Sequence, residues 1–528
     1  MIMNFKIFSK LTLGILLVLM YSNACTDLTE QSPDSLNSLE SEEEFIAALG
    51  EAYTVMGGLW GGHGGFWSMQ EVSSDEAVIP QRGTDWFDGG VWLRTHAHTN
   101  GVDHGPTNGT WNQLFRGVNA TSRLILQFET LRDDGSLDAE LAQNFISELR
   151  VQRAFFYFWL LDSFGNVPII DDFASVEGNP PNNPDFQAGR TQVFNFVESE
   201  IVNNINNLNP DPRASYGRMH KDAAHFLLGK LYLNAEAYGV GTRYNDAVTQ
   251  FNAVINSGNY NLEADYFAPF ASSNSGSSEI IFAIPYDEVF LGGFNLHHMT
   301  LHYNHQETFD FEQQPWNGYA TLAEFYRSFE EGDVRLGDGQ RSGLLVGPQF
   351  ALSGAPLIDT DIGPTHHLTL QVDIPQLAMV GDLAGASREA GARFAKFEYA
   401  VGSTPDLNND FPVFRYADAL LSKAEALWRI NPGDAEALNL VNQIRARAGV
   451  APFANLTAEN LLAERGRELY TEAWRRQDLI RFDGVAGGAT RFNDPWWEKD
   501  VSQSFRNVFP IPQTQIDANP NLRQNPGY

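Results

Sequence analysis

Residues 222–238, DAAHFLLGKLYLNAEAY, and residues 244–258, YNDAVTQFNAVINSG, repeat apolar side chains three and four positions apart. In the first stretch Ala224, Leu227, Leu228, Leu231, Tyr232 and Ala235 fall on one helical face. In the second, Ala247, Phe251, Val254 and Ile255 fall on another, and Gly258 supplies the stop. A helix with one apolar stripe must bury it against a neighbour, so the two stretches predict a helix-turn-helix pair. Leu228-Gly229-x-x-Tyr232 followed by Ala247-x-x-x-Phe251 fits the tetratricopeptide pattern if the turn holds six extra residues.

A second pair is predicted at RYADALLSKAEALWRINPGDAEALNLVNQIRARAG, residues 415–449. Asn431-Pro432-Gly433 is turn chemistry, Asp434 an N-cap and Gly449 a stop. Further helices are expected over Thr110–Leu131, Asp138–Ser163, Thr191–Asn207 and Ala458–Arg481, and EIIFAIPY, residues 279–286, reads as a short strand. The fold class is therefore mainly α, a tetratricopeptide-like scaffold of helix pairs. Two long stretches, 57–109 and 285–319, lack periodicity and are rich in Gly, Trp, His and Asn. Aromatic-rich loops of that length point to ligand binding.

The chain of 528 residues has one cysteine, Cys25. Before it stand Lys6, Lys10, an apolar run from Leu11 to Met20 and the small polar stretch SNA, the layout of a secretory signal. Cleavage in front of a cysteine is the bacterial lipoprotein pattern, although Ser22 replaces the usual aliphatic residue; an ordinary signal peptide cut near Ala24 is the alternative. The expected organisation is a signal over 1–24, an acidic tether over 25–40, and a folded body from Ser41, where Ser41 and Glu44 form a capping box. The net charge is −31, and loss of residues 1–24, with two lysines and no acids, makes it −33. Such a surface excludes nucleic acid as a partner and disfavours polyanions.

No zinc-protease helix, phosphate loop, nucleophile elbow or dinucleotide fingerprint occurs. His96, His98 and His104 in one loop, and His297, His298, His302 and His305 in the other, are read as loop packing or ligand hydrogen bonding before metal. DLNND places Asp406, Asn408 and Asp410 at alternate positions; a structural calcium is the lesser reading, because the EF-hand glycine is missing. No cofactor is expected. In GTDWFDGGVW, Trp86 and Trp92 stand among Asp85, Asp88 and three glycines, where backbone approaches closely and a ring face can meet the C–H face of a sugar. Trp60, Trp111, Trp159, Trp428 and Trp474 lie in or beside helical patterns and are expected in the core.

Three C-terminal pieces, FRYADALLSKAEAL with VNQIRARAG, ERGRELYTEAWRRQDLIRF and FPIPQTQIDANPNLRQNPGY, together with SSDEAV, RAFFYFWLLDSFGNVPII and GKLYLNAEAY, give the chain its kinship. In this order they resemble the SusD/RagB family, surface lipoproteins of Bacteroidetes that work with an outer-membrane TonB-dependent transporter. The resemblance implies a SusD-like body over 41–528, with family motifs across 411–528. It implies a glycan-binding, non-catalytic protein held at the cell surface through lipidated Cys25, with Asp27 and Glu30 as the export signal, which delivers oligosaccharide to a SusC-like barrel. A neutral glycan suits the acidity. A RagB-type binder of peptide or another nutrient, and a secreted helical glycosidase, are the alternatives. Mapped onto matching stretches, the ligand-contact candidates are Asp75, Trp86, Trp92, Tyr303, Trp316 and, as a hydroxyl donor, Arg393. Arg465, Glu468, Arg475 and Asp478 are assigned to structural ion pairs.

Overall fold

The computed structural model describes residues 41–175, 178–379, 385–484 and 491–528, so the signal, the tether and Cys25 lie outside the described residues. Contacts divide the chain into Met1–Ala48 and Leu49–Tyr528. In the former, the Glu44 N–H donates to Ser41 Oγ (3.3 Å) and the Ser41 N–H to Glu44 Oε2 (3.0 Å), the predicted capping box. It opens α1, Glu42–Gly57.

Then follow α2 (Phe66–Val72), α3 (Val91–His96), α4 (Gly105–Asp133), α5 (Ala139–Phe164), α6 (Phe186–Asn204), α7 (Lys221–Leu233) and α8 (Tyr244–Ile255). Short α9 (Leu296–Thr300), α10 (His305–Phe309) and α11 (Ala323–Tyr326) cross the middle of the chain. The C-terminal part holds α12 (Tyr416–Ile430), α13 (Ala435–Arg447), α14 (Ala458–Leu469), α15 (Arg475–Phe482) and α16 (Gln513–Ala518). Both predicted helix pairs are present: α7 packs on α8 and α12 on α13, with the Asp434 carboxylate accepting the Ala437 N–H at 2.9 Å as N-cap. At the α4–α5 contact a Cβ on Gly117 would come within 2.2–2.4 Å of the Phe156 ring, so glycine sets how closely these helices approach.

Helix α5 is buried on every side from Val151 to Phe164 and forms the centre of the main core. Trp159 meets Phe66 at 4.8 Å, Trp474 at 4.9 Å and Trp60 at 6.0 Å between ring centroids. These tryptophans, with Trp111 and Trp428, are buried as the helical pattern predicts. A second core joins α12 to α15 through Leu421, Val441, Leu461 and Leu479.

The structure corrects two expectations. The predicted helix over Ala458–Arg481 is broken into α14 and α15, with Thr471 (φ 65°) and Ala473 (φ 66°) in left-handed backbone between them. The break is held from the far end of the chain. The Ala473 N–H donates to Glu71 Oε1 (2.6 Å), the Thr471 N–H to Glu76 Oε1 (2.8 Å), and Trp67 Nε1 to the Thr471 carbonyl (3.0 Å). Nor are 57–109 and 285–319 wholly irregular. They contain α2, α3, α9 and α10, helices of five to seven residues, too short for periodicity to reveal.

Among the described residues, four two-stranded sheets tie the segments together. The predicted strand is Ile280–Ile284, antiparallel to Phe411–Arg415 at the foot of α12. Ala77–Val78 pairs antiparallel with Ala320–Thr321, and a bridge from Thr321 to Ala392 adds a third segment. This junction positions the candidate site.

Candidate functional site

Because 77–78, 320–321 and 392 are paired, the stretches just before or after them, 80–90, 303–319 and 385–393, emerge side by side. Trp86 (φ 64°) and Asp88 (φ 45°) are left-handed, followed by Gly89 and Gly90 in the same region. A run of such backbone persists only where surroundings hold it. Here Trp86 Nε1 donates to the Trp316 carbonyl at 2.7 Å, and the indole meets His63 (5.1 Å) and Tyr319 (6.0 Å) edge-on. A Cβ on Gly318 would stand 2.4–2.7 Å from the Trp86 ring, so only glycine lets the indole lie on this backbone.

Trp316 is fixed by its N–H, which donates to the His298 carbonyl at 2.7 Å, while the residue stays 36% exposed. Phe87 is 46% exposed. Tyr303 donates its hydroxyl to Asp85 Oδ2 (2.6 Å), and the Arg388 guanidinium lies 4.5 Å over its ring. Burial first, then the Asp85 carboxylate, pushes the Tyr303 phenol up to about 12, so it stays a donor at neutral pH. Arg388 also pairs with Asp361 and with Asp359 (3.4 Å). The result is an aromatic ridge of Trp86, Phe87 and Trp316 with a hydroxyl, carboxylates and a guanidinium on its flank. Such a surface can stack flat apolar faces and orient hydroxyl groups beside them.

The C-terminal quarter confirms the kinship. Residues 402–528 match the model of the SusD family. The chain is a SusD-like protein. It is 27% identical to the starch-binding protein SusD of Bacteroides thetaiotaomicron over 76% of each chain. A SusD superfamily protein from Parabacteroides distasonis superposes with TM-score 0.73 at 22% identity, over 93% of this chain and 100% of that one. Surface glycan-binding protein A from Bacteroides thetaiotaomicron, solved with laminarihexaose, gives TM-score 0.71 at 20% identity, over 92% and 100%. In this SusD-like chain the ridge lies outside the matched residues 402–528.

Of the six candidate contacts, the ridge gathers Trp86, Trp316 and Tyr303. The other three are held elsewhere. Trp92 is only 2% exposed; its Nε1 donates to Asp88 Oδ2 at 2.9 Å and its ring lies 5.0 Å from His63, beneath the ridge. Asp75 forms a two-pronged pair with Arg475 (2.6 and 2.7 Å), which makes it the partner of a residue assigned to scaffold. Arg393 is fully buried: it donates to the carbonyls of Ala390, Gly391 and Arg388 and to Asn317 Oδ1, fixing the backbone under Arg388 and Trp316. It offers no hydrogen to a surface ligand. Arg388 and Phe87 were not predicted, and nothing in their local sequence marks them.

Four of these seven histidines are held by hydrogen bonds within the protein. His96 bonds the Trp497 carbonyl, His98 the Ser73 carbonyl, His104 caps α4, and His297 bonds the Thr404 carbonyl. No group of three or more His, Cys, Asp or Glu among the described residues could hold a metal ion. In DLNND the side chains diverge: Asp406 accepts from the Gly293 N–H, Asn408 from the Glu288 N–H, and Asp410 from the Tyr216 hydroxyl. Arg465 pairs with Asp478 (2.8 Å) and Glu468 with Arg335 and Arg415, the expected structural ion pairs.

Proposed function

We propose that this protein captures a neutral glycan on the Trp86–Trp316 ridge and hands it to a SusC-like TonB-dependent outer-membrane transporter, without cleaving it. The observation that carries this reading is the exposed Trp316 face fixed beside Trp86 and bordered by Tyr303, Asp85 and Arg388. One relative named for starch binding, and a solved structure with laminarihexaose, support the ligand class. The net charge of −31, with Asp85 and Asp361 at the ridge, favours a neutral chain over a sulfated or uronic one. A few stacked rings at ~1 kcal/mol each suit roughly micromolar affinity, weak enough for release.

Calorimetric titration with neutral glucans, fructans, mannans and xylans, with reducing ends assayed in the same tubes, tests the reading. Trp316→Ala is expected to weaken binding of the cognate glycan about tenfold or more, or ~1.4 kcal/mol. New reducing ends, or unchanged affinity in the variant, would sink it. No helix among the described residues is long and apolar enough to cross a membrane, and the reading places the attachment at Cys25. Metabolic labelling with a fatty acid is expected to mark the protein in the outer-membrane fraction and to be lost in Cys25→Ser; label retained in the variant would refute the anchor.

A further inference from the structure

A groove of about 690 Å³ that shares no residue with the ridge opens between α4, residues 168–173 and 178–180, and the C-terminal residues 515–522. Its apolar surface comes from two walls. Phe115, half-buried, tilts on Trp111 at 4.6 Å, and Trp111 is wedged edge-on against Phe164 at 5.0 Å, so this ring pair is fixed. Phe173, 36% exposed, lines the facing wall.

The walls are fastened by side-chain amides. Asn182 donates to the Arg523 carbonyl (2.9 Å) and accepts the Arg523 N–H (2.8 Å). Asn519 donates to the Pro180 carbonyl (2.9 Å) and Asn521 to the Asn179 carbonyl (2.8 Å). On the other side Gln515 reaches Asn108 (2.8 Å) and Asn112 (2.9 Å) of α4. The 179–180 and 515–522 sides of the groove are thus fastened before anything enters it, which lowers the ordering cost of binding.

The polar rim has an unusual composition for this chain. No carboxylate lines the groove among its described residues, although the protein carries −31. Arg116, Asn119 and Asn179 line it instead, and their side chains have no hydrogen-bond or ion-pair partner among the described residues. Amides offer a donor and an acceptor together, which matches vicinal hydroxyls, while ring faces match sugar C–H surfaces. A polyanion would meet a single cation in a strongly acidic molecule.

We propose that this groove is a second glycan site, which takes a short stretch of neutral oligosaccharide independently of the ridge. It rests on the reading that the cargo is a glycan, and its test separates the two. Laminarihexaose and maltohexaose are added at millimolar concentration to the chain from residue 26 onward carrying Trp316→Ala, and hydrogen–deuterium exchange is followed by peptide. The expected result is slowed exchange in 168–175 and 513–522 with one of these probes, and loss of that slowing when Phe173→Ala and Asn119→Ala, both surface changes, are added. Slowing confined to 80–90 and 303–319 in the unsubstituted chain overturns the second site and leaves the ridge reading standing. Slowing at the groove alone supports the second site and removes the ridge. No slowing anywhere with either probe, or protection of the groove by a protein partner but not by sugar, overturns the inference.

Discussion

Arg415→Met is expected to lower folding stability by about 3–5 kcal/mol, the cost of stranding buried charge, and to shift the urea midpoint accordingly. Arg415 sits fully buried where the strand Phe411–Arg415 turns into α12. It pairs with Glu279 (2.5 Å), Glu472 (2.7 Å) and Glu468 (3.1 Å), all buried. Glu468 is shared with Arg335 and Arg447, and Glu472 with Lys396 (2.5 Å), so a single web of charge joins the strand pair, α12, α13, α14 and the break before α15. A methionine fills similar volume and brings no cation. Three carboxylates then face one another with fewer donors, and in a poorly screened interior they must take up protons or open the fold. Arg327→Ala, whose pair with Asp373 is exposed on both sides, is the control and is expected to move the midpoint very little. An Arg415→Met protein with the parent midpoint would show that the web is not what holds the C-terminal helices to the main core.

The same residues explain how far the sequence could be read. FRYADALLSKAEAL and ERGRELYTEAWRRQDLIRF carry helix periodicity and paired charges within one or two turns, so their helices and their scaffold role are legible locally. The break at 470–474 is not legible, because the groups that stabilise it, Glu71, Glu76 and Trp67, are about 400 positions away. The ridge divides along the same line. Trp86, Trp316 and Tyr303 announce themselves by residue type in glycine-rich loops. Trp92, six residues from Trp86 in the same loop, is buried because Gly90 begins a helix that turns it inward toward His63 and Asp88. Asp75 is claimed by Arg475 from 400 positions downstream, and Arg393 by carbonyls of its own loop. In aperiodic segments exposure is decided by the path of the backbone and by partners both near and distant, and a single sequence does not display them.

Acid is expected to loosen the aromatic loops before it melts the helical scaffold. Burial holds the imidazoles of His96 and His302 down to about 4 and those of His297 and His305 down to about 3, against an ordinary value of 6.5. A base whose folded value is depressed stabilises the fold above its unfolded value, and that stability drains as pH falls from about 6.5 toward 4, because the unfolded chain binds the proton first. Each imidazole is worth on the order of 3 kcal/mol, so even two of them consume a large share of a typical ~5–15 kcal/mol. All four lie in the loops that build the ridge or lie beneath it. The C-terminal web titrates lower. Burial raises the Glu425 and Glu468 carboxyls, but the guanidinium groups around them outweigh it and hold both at about 2; their contribution is complete above the usual carboxylate value near 4.5 and is lost only as pH falls below it. Glu71 and Glu76 act in the opposite sense: burial raises both, against the Glu76 hydrogen bond that lowers Glu71, and the Glu71 carboxylate raises Glu76 further, so their share falls as pH climbs above about 4.5, which flattens the neutral side of the profile without reversing the acid limb. Near-ultraviolet dichroism and tryptophan fluorescence, to which the loop residues Trp86, Trp92 and Trp316 contribute, are therefore expected to change between about pH 6.5 and 4, with far-ultraviolet helix signal surviving to lower pH. His305→Gln removes one buried imidazole and should move the first transition to lower pH while leaving the second in place. If both signals collapse together, or if the first transition does not move in His305→Gln, the loops and the scaffold are one cooperative unit and the histidines are not what makes the site sensitive to acid.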